Sequence, residues 1–351
     1  TYEQTTTGFQ VRAGVPITEY MSLALRYSLN FDDVTLDKDT YYSDTNGDGT
    51  TECDPLLAGR YLCDAIGKRT TSSLGYSLIY DTRDNRIRPT RGHNIVLSQD
   101  FAGLGGSVKY VRTRLNASKF FPLGSGFIFS LTGEGGYIHS LEGERLDSTG
   151  QSVDKIRLTD RFFLGEPQFR GFDIRGVGPR VKRFYLTAET NSSGTVTGYV
   201  KNTDNNNVSD DALGGKIYYL ARAEVEIPLG SGAREMGLRP SIFMDAGAVA
   251  GLKNPGTIAF AGYCSPTSGT GTAVRAGGTP YAPTCDVNYT FSGGNFVEEY
   301  LGDTLKPRLS VGFGVNWNSP FGPFRIDIAK ALLKEPGDDN KLITFNVGTQ
   351  F

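Results

Sequence analysis

Apolar and polar residues alternate with a period of two along much of this chain, the mark of strands whose two faces meet different surroundings. In the segment 309–317 one face carries Leu309, Val311, Phe313, Val315 and Trp317, and the other Ser310, Gly312, Gly314 and Asn316. Leu74, Tyr76, Leu78 and Tyr80 alternate with Gly75, Ser77, Ile79 and Asp81. Tyr219, Ala221, Ala223, Val225 and Ile227 alternate with Leu220, Arg222, Glu224 and Glu226. Ile242, Met244, Ala246 and Ala248 alternate with Phe243, Asp245, Gly247 and Val249. Ionisable groups thus recur on one face of strands whose other face is apolar. In a water-filled interior they stay hydrated, whereas on a lipid face each would cost up to about 2–4 kcal/mol near the midplane. The pattern predicts about eleven strands, near 5–15, 20–33, 71–83, 92–101, 106–121, 126–141, 214–228, 236–250, 307–318, 322–333 and 341–351.

The connectors come in two sizes. Pro16–Glu19, Pro122–Ser125, Pro228–Ser231 and Ser319–Gly322 are short, while 34–69, 142–213 and 251–306 are long. Short and long alternate, so the long ones gather at one end. Tight turns at one end and long loops at the other are the pattern of outer-membrane barrels; a soluble sandwich has no reason for it.

Composition narrows the choice. The 351 residues include 45 Gly, 21 Phe and 18 Tyr, with one Trp and 3 Met. No run approaches the ~18 apolar residues of a membrane helix. Mean hydropathy is slightly negative, as for a soluble protein, but a membrane barrel reads the same way because half of each strand is polar. A formal net charge of −2 leaves no electrostatic footprint for nucleic acid. No signal peptide opens the chain at Thr1, which begins directly in a strand-like pattern.

The cysteines fall as two local pairs, Cys53/Cys63 and Cys264/Cys285, in polar, Gly-rich inserts. Two loop disulfides in an oxidising compartment fit this arrangement; zinc is the competing reading, although neither pair has the usual close ligand spacing. Asp44, Asn46 and Asp48 match the first half of a calcium loop, but its twelfth position is Pro55, so a solvated turn competes. His93 and His139 stand far apart in sequence, and no hydrolase, zinc-protease or phosphate-loop motif occurs. Neither a catalytic constellation nor a cofactor is expected.

Four motifs point further. Phe169-Arg170-Gly171-Phe172 resembles the "(V/I)RGF" signature of BamA-class outer-membrane assembly factors. Tyr80–Gly92 resembles that family's strand, turn and "P-(T)-x-G" step. Ile242–Gly247 is similar to its "FxDxG" strand, and Ser319–Pro323 with Arg325–Ala329 to its penultimate hairpin. The last segment, with Ile343, Phe345, Val347, Thr349 and Phe351 on one face and Thr344, Asn346, Gly348 and Gln350 on the other, resembles the C-terminal β-signal of bacterial outer-membrane proteins. A buried terminal strand of a soluble fold is the other reading of that segment.

The resemblance implies an all-β fold, an antiparallel transmembrane β-barrel with a long loop folded into its lumen. Family barrels have about 16 strands, an even number as in other single-chain outer-membrane barrels, preceded by periplasmic POTRA domains. By that comparison residues 1–351 are the C-terminal part of the barrel domain, and the first strands and the POTRA domains are absent. The implied function is ATP-independent folding and insertion of client β-barrel proteins in the bacterial outer membrane, with the long loops extracellular and accessory lipoproteins as partners beside the lipid bilayer. Arg170 is expected to enter the lumen and pair with Glu224 and Asp245, which the alternation puts on the polar face; pairing of these acids with neighbouring lumen cations is the competing expectation. Ile343, Phe345, Val347, Gly348 and Phe351 would form the seam and β-signal, which offers its backbone edge to a client strand. A TamA-like factor, a two-partner secretion transporter, a passive channel and a soluble β-rich adhesin remain open alternatives.

Overall fold

The computed structural model describes residues 2–44, 49–147, 150–204, 208–230, 237–319 and 322–347. Eleven strands form one antiparallel meander: β1 (Glu3–Pro16), β2 (Met21–Thr35), β3 (Gly67–Asp81), β4 (Gly92–Ala102), β5 (Tyr110–Gly124), β6 (Phe127–Ser140), β7 (Ile217–Glu226), β8 (Leu238–Ala250), β9 (Arg308–Ser319), β10 (Gly322–Leu333) and β11 (Ile343–Val347). Among the described residues each pairs with its sequence neighbours, from β1 at one end of the sheet to β11 at the other. All eleven coincide with segments anticipated from alternation. β3 starts four residues earlier and β5 four later than the pattern suggests. The polar Gly67–Arg69 stretch completes its ladder with β2, while 106–109 turn back toward Thr70.

The wall has the reverse of a soluble protein's polarity. Leu25, Leu74, Leu115, Met244, Phe313, Ile326, Ile328 and Phe345 are exposed on one face. Ser241, Asp245, Ser310, Arg325, Asp327 and Thr344 are buried on the other. Large exposed apolar patches mark an interaction surface or a membrane face, and this one runs round the whole sheet. Aromatic residues stack across strands near the short-turn end: Phe121 with Phe129, and Trp317 with Phe324 and then Phe345. They form the girdle expected where a barrel leaves the hydrocarbon.

The long connections build a cap over the other end. Arg180–Thr190, the longest strand in the cap, pairs with Val196–Lys201, Val208–Ala212 and Phe296–Leu301, the last also pairing with Ala259–Phe260. This second sheet was not anticipated, because its strands are short and polar and hold together through contacts between distant loops. Short helices Lys38–Tyr41, Pro55–Ala58 and Arg60–Ala65 complete the cap. Leu36, Leu62, Leu158, Val181 and Leu213 make its core. Cys53–Cys63 and Cys264–Cys285 are disulfide-bonded, with Cα separations of 5.7 and 5.9 Å. A second core lies at the top of the lumen, where Phe162, Phe169, Phe172 and Val177 of the longest connection meet Tyr110, Ile138, Leu220 and Val249 of the wall. Apolar residues on the inward face are thus concentrated where a loop packs on them.

Ile328 faces outward between Phe313 of β9 and Ile343 of β11. Reconstituted in lipid, Ile328→Arg is expected to lower stability by about 2–4 kcal/mol, measured by urea unfolding from liposomes. An unchanged midpoint would mean this face does not meet hydrocarbon.

Candidate functional site

The connection between β6 and β7 dips into the lumen at Phe163–Pro179 and returns to the cap. Its deepest part is Phe169–Phe172. Both Phe rings are fully buried, with centroids 4.6 Å apart. Gly171 has φ +87° and lies against the wall: a Cβ there would come within 2.9 Å of Ser310 Cβ and 3.3 Å of Ala329 Cβ. Only glycine combines that backbone conformation with so close an approach.

Arg170 is the centre of the arrangement. Its Nε donates to Asp245 Oδ2 at 2.7 Å and its Nη2 to Asp245 Oδ1 at 2.6 Å, a fork-to-fork pair. Its Nη1 donates to Glu224 Oε2 at 2.7 Å. The guanidinium stacks over Phe243, 3.4 Å from the ring centroid. Its carbonyl accepts from Ser310 Oγ at 2.5 Å. Side-chain exposure is 6 % for Arg170, 0 % for Asp245 and 22 % for Glu224, so the Asp245 contact is dry and the Glu224 contact partly wet. β7 and β8 present the two acids from adjacent strands because Glu224 and Phe243 are register partners and Asp245 lies one inward position beyond Phe243.

The anchor continues along the wall. Glu224 Oε1 also accepts from Arg325 Nη2 at 3.2 Å, and Arg325 Nε reaches both oxygens of Asp327 at 2.9 Å. Gly314, opposite Asp327, leaves room for this pair: a Cβ there would lie 2.2 Å from Asp327 Oδ1. Two cations and three carboxylates therefore form one knot spanning the loop, β7, β8 and β10, dry at Asp245 and Asp327 and partly wet at Glu224.

Further up, the loop is laced to the β10–β11 connection. Asp173 N donates to Asp339 O and Asp339 N to Gly176 O, both at 2.9 Å, and Lys341 N donates to Gly171 O at 3.2 Å. Arg308, fully buried at the head of β9, donates to Asp338, Gly302 O, Thr304 O and Lys306 O. Above it, Arg180 ion-pairs with Asp210 and Asp339, and Lys182 bridges the same two acids. Burial, then a hydrogen bond to Asp339, pushes the Asp210 carboxyl up to about 6. Asp339 is held below the usual carboxylate range: burial opposes this, but the bond from Asp210 and the charges of Arg180 and Lys182 prevail.

The structure thus brings Phe169–Phe172, Glu224 and Asp245 together. Ile343, Phe345 and Val347 point outward on β11; Gly348 and Phe351 lie outside the described residues. Asp44 accepts from Gly49 N at 2.9 Å, Asn46 and Asp48 lie outside the described residues, and no metal-binding group of three ligands occurs among the described residues. Sequence reasoning overlooked Phe243, Ser310, Arg308, Arg325, Asp327 and Asp338. Arg325 and Asp327 carried one signal, opposite charges two apart on the inward face of a strand. The others depend on which loop reaches them.

A family model described as the Omp85 superfamily domain matches residues 1–351. The outer membrane protein assembly factor BamA of Neorickettsia risticii (strain Illinois) is 27 % identical over 351 residues, all of this chain and 34 % of that protein. The sorting and assembly machinery component 50 homolog of Mus musculus is 32 % identical over 125 residues, 35 % of this chain and 24 % of that protein. The fold is similar to the crystal structure of BamA from Haemophilus ducreyi lacking POTRA domains 1–3, with a TM-score of 0.62 and 18 % identity over 98 % of this chain and 54 % of that one. The chain spans about a third of the length of the BamA relative from Neorickettsia.

Asp245→Asn leaves the dry side of Arg170 without its counter-charge and is expected to weaken loop docking by about 3–5 kcal/mol. Glu224→Gln acts on a partly hydrated contact and is expected to cost about 1 kcal/mol. Hydrogen exchange of the 165–178 backbone separates the two, and equal protection in both variants would refute the ranking. The cap junction gives a pH dependence. Asp210 binds its proton more tightly folded than unfolded, so its contribution is present below the ordinary carboxylate range and is lost as pH rises through about 6. Asp339, shifted the other way, loses its contribution as pH falls below that range. Exchange protection of 208–212 and 337–341 is therefore expected to peak in mildly acidic solution, and a flat profile from pH 4 to 8 would remove the coupling.

Proposed function

The chain belongs to the Omp85 superfamily, and from that premise we propose that it forms the barrel wall of an outer-membrane assembly factor. It folds and inserts client β-barrel proteins without ATP and without enzymatic chemistry. It lies in the bacterial outer membrane with the cap outside the cell, and accessory lipoproteins assist it from the periplasm.

The observation that carries this reading is the hold of the lumen loop on the segment that leads into the last strand. Where the outer edge of β11 is free, its unpaired backbone groups make a template for an incoming strand. A client strand adds there by β-augmentation, with main-chain hydrogen bonds supplying the affinity. Arg170 and its acids hold the lumen loop, and the loop holds residues 339–341 immediately before β11, so the edge is presented from a fixed base. Phe169, Arg170 and Phe172 occupy the lumen beneath a folded cap, which favours this reading over a passive channel.

The test uses the full-length parent in proteoliposomes with its accessory partners and an unfolded barrel client. Client folding is expected to accelerate, and Arg170→Ala is expected to abolish most of the acceleration at equal barrel yield. No acceleration by the parent would favour secretion or passive conduction. Acceleration indifferent to Arg170→Ala would keep the function and remove the anchor from it.

A further inference from the structure

The connection between β3 and β4, residues 82–91, takes no part in the lumen knot or the seam. It carries Arg83, Arg86, Arg88 and Arg91 against the single acid Asp84. It is also built to a fixed shape. Asp84 accepts from Thr90 N at 2.9 Å, Arg91 N at 3.2 Å and Thr90 Oγ1 at 2.5 Å. Asn85 Oδ1 accepts from Ile87 N at 2.8 Å and Arg88 N at 3.0 Å. Those bonds leave the cations outside. Arg83 is committed to both oxygens of Asp81, and Arg86 reaches that acid only at 3.8 Å. Arg88 and Arg91 are exposed and make no ion pair among the described residues.

Apolar groups share this end of the wall. Three large aliphatic side chains are exposed at this end, Ile17 and Ile87 on turns and Leu123 at the end of β5, at 54 %, 72 % and 60 %. Just above the turn, Tyr80 and His93 pack with centroids 5.2 Å apart, and Lys119 lies 4.9 Å over Phe121. Exposed aliphatic tips beside an aromatic girdle belong to the boundary of a bilayer, and arginine forks match phosphate oxygens. A soluble acidic partner would account for the cations but not for the aliphatic tips.

We infer that the 82–91 turn is a binding site for anionic glycerophospholipid headgroups of the periplasmic leaflet. Arg86, Arg88 and Arg91 take the phosphate, and Ile87 inserts among the acyl-chain ends. The site rests on the reading that this end of the wall faces the periplasm. Its occupancy is independent of client folding, so failure of one is distinguishable from failure of the other.

The full-length parent is reconstituted in nanodiscs of phosphatidylcholine with a minority of phosphatidylglycerol, and retained lipid is counted by native mass spectrometry. Wild type is expected to retain phosphatidylglycerol preferentially. The triple variant Arg86→Gln/Arg88→Gln/Arg91→Gln is expected to lose about tenfold of that preference. The corresponding triple Lys variant keeps most of it, and added salt weakens it. A matched removal of charge from the cap, Lys38→Gln/Lys253→Gln/Arg275→Gln, is expected to change nothing. Folding of each variant is verified by heat-modifiable gel mobility, with Arg88→Gln/Arg91→Gln in reserve should the triple variant fail that check. Unaltered preference in the Gln variant overturns the site. So does equal loss in the cap variant, which would mean net charge alone, or the absence of any phosphatidylglycerol preference in wild type.

Discussion

One buried guanidinium sets the terms for the interior of this protein. Arg170 has left water, and an arginine cannot be left uncharged, so its counter-charges must be at hand. Asp245 meets it in a dry, two-pronged contact, with Glu224 completing the shell and Phe243 closing one face. That requirement fixes where the loop descends, which faces of β7 and β8 turn inward and why residue 171 has no side chain. The aromatic pair Phe169 and Phe172, on either side of Arg170-Gly171 in sequence, packs into the apolar core at the top of the lumen.

From this anchor the constraint spreads along the wall. Glu224 is shared between Arg170 and Arg325, so the loop and β10 compete for, and are joined by, the same carboxylate. The loop also exchanges backbone hydrogen bonds with residues 339–341. Both routes end at the last two strands. A loop held by charge at its tip and by backbone pairing along its arm transmits its position to β11.

The wall itself follows a simpler rule. Every backbone group in a membrane sheet needs a partner, and every outward side chain must tolerate hydrocarbon. Alternation meets both conditions at once, and a one-residue slip would turn each charged position outward. The cap obeys ordinary soluble rules, with its own apolar core and two disulfides standing in for the burial that small loop modules cannot provide.

The eleven wall strands were legible in the amino-acid sequence because membrane and lumen impose a period of two, which survives without knowledge of any partner. The inward parity of Glu224 and Asp245 followed from the same alternation, and the Phe169–Phe172 motif was local enough to be noticed. Pairing of the cysteines was suggested by their closeness in sequence. What the chain alone did not determine is where long connections come to rest. The second sheet, the Arg308–Asp338 pair and the sharing of Glu224 with Arg325 join residues tens or hundreds of positions apart, through contacts that exist only once the sheet has curled and the loop has entered it. Periodicity records the solvent on each side of a strand; the meeting of two distant loops leaves no period to read.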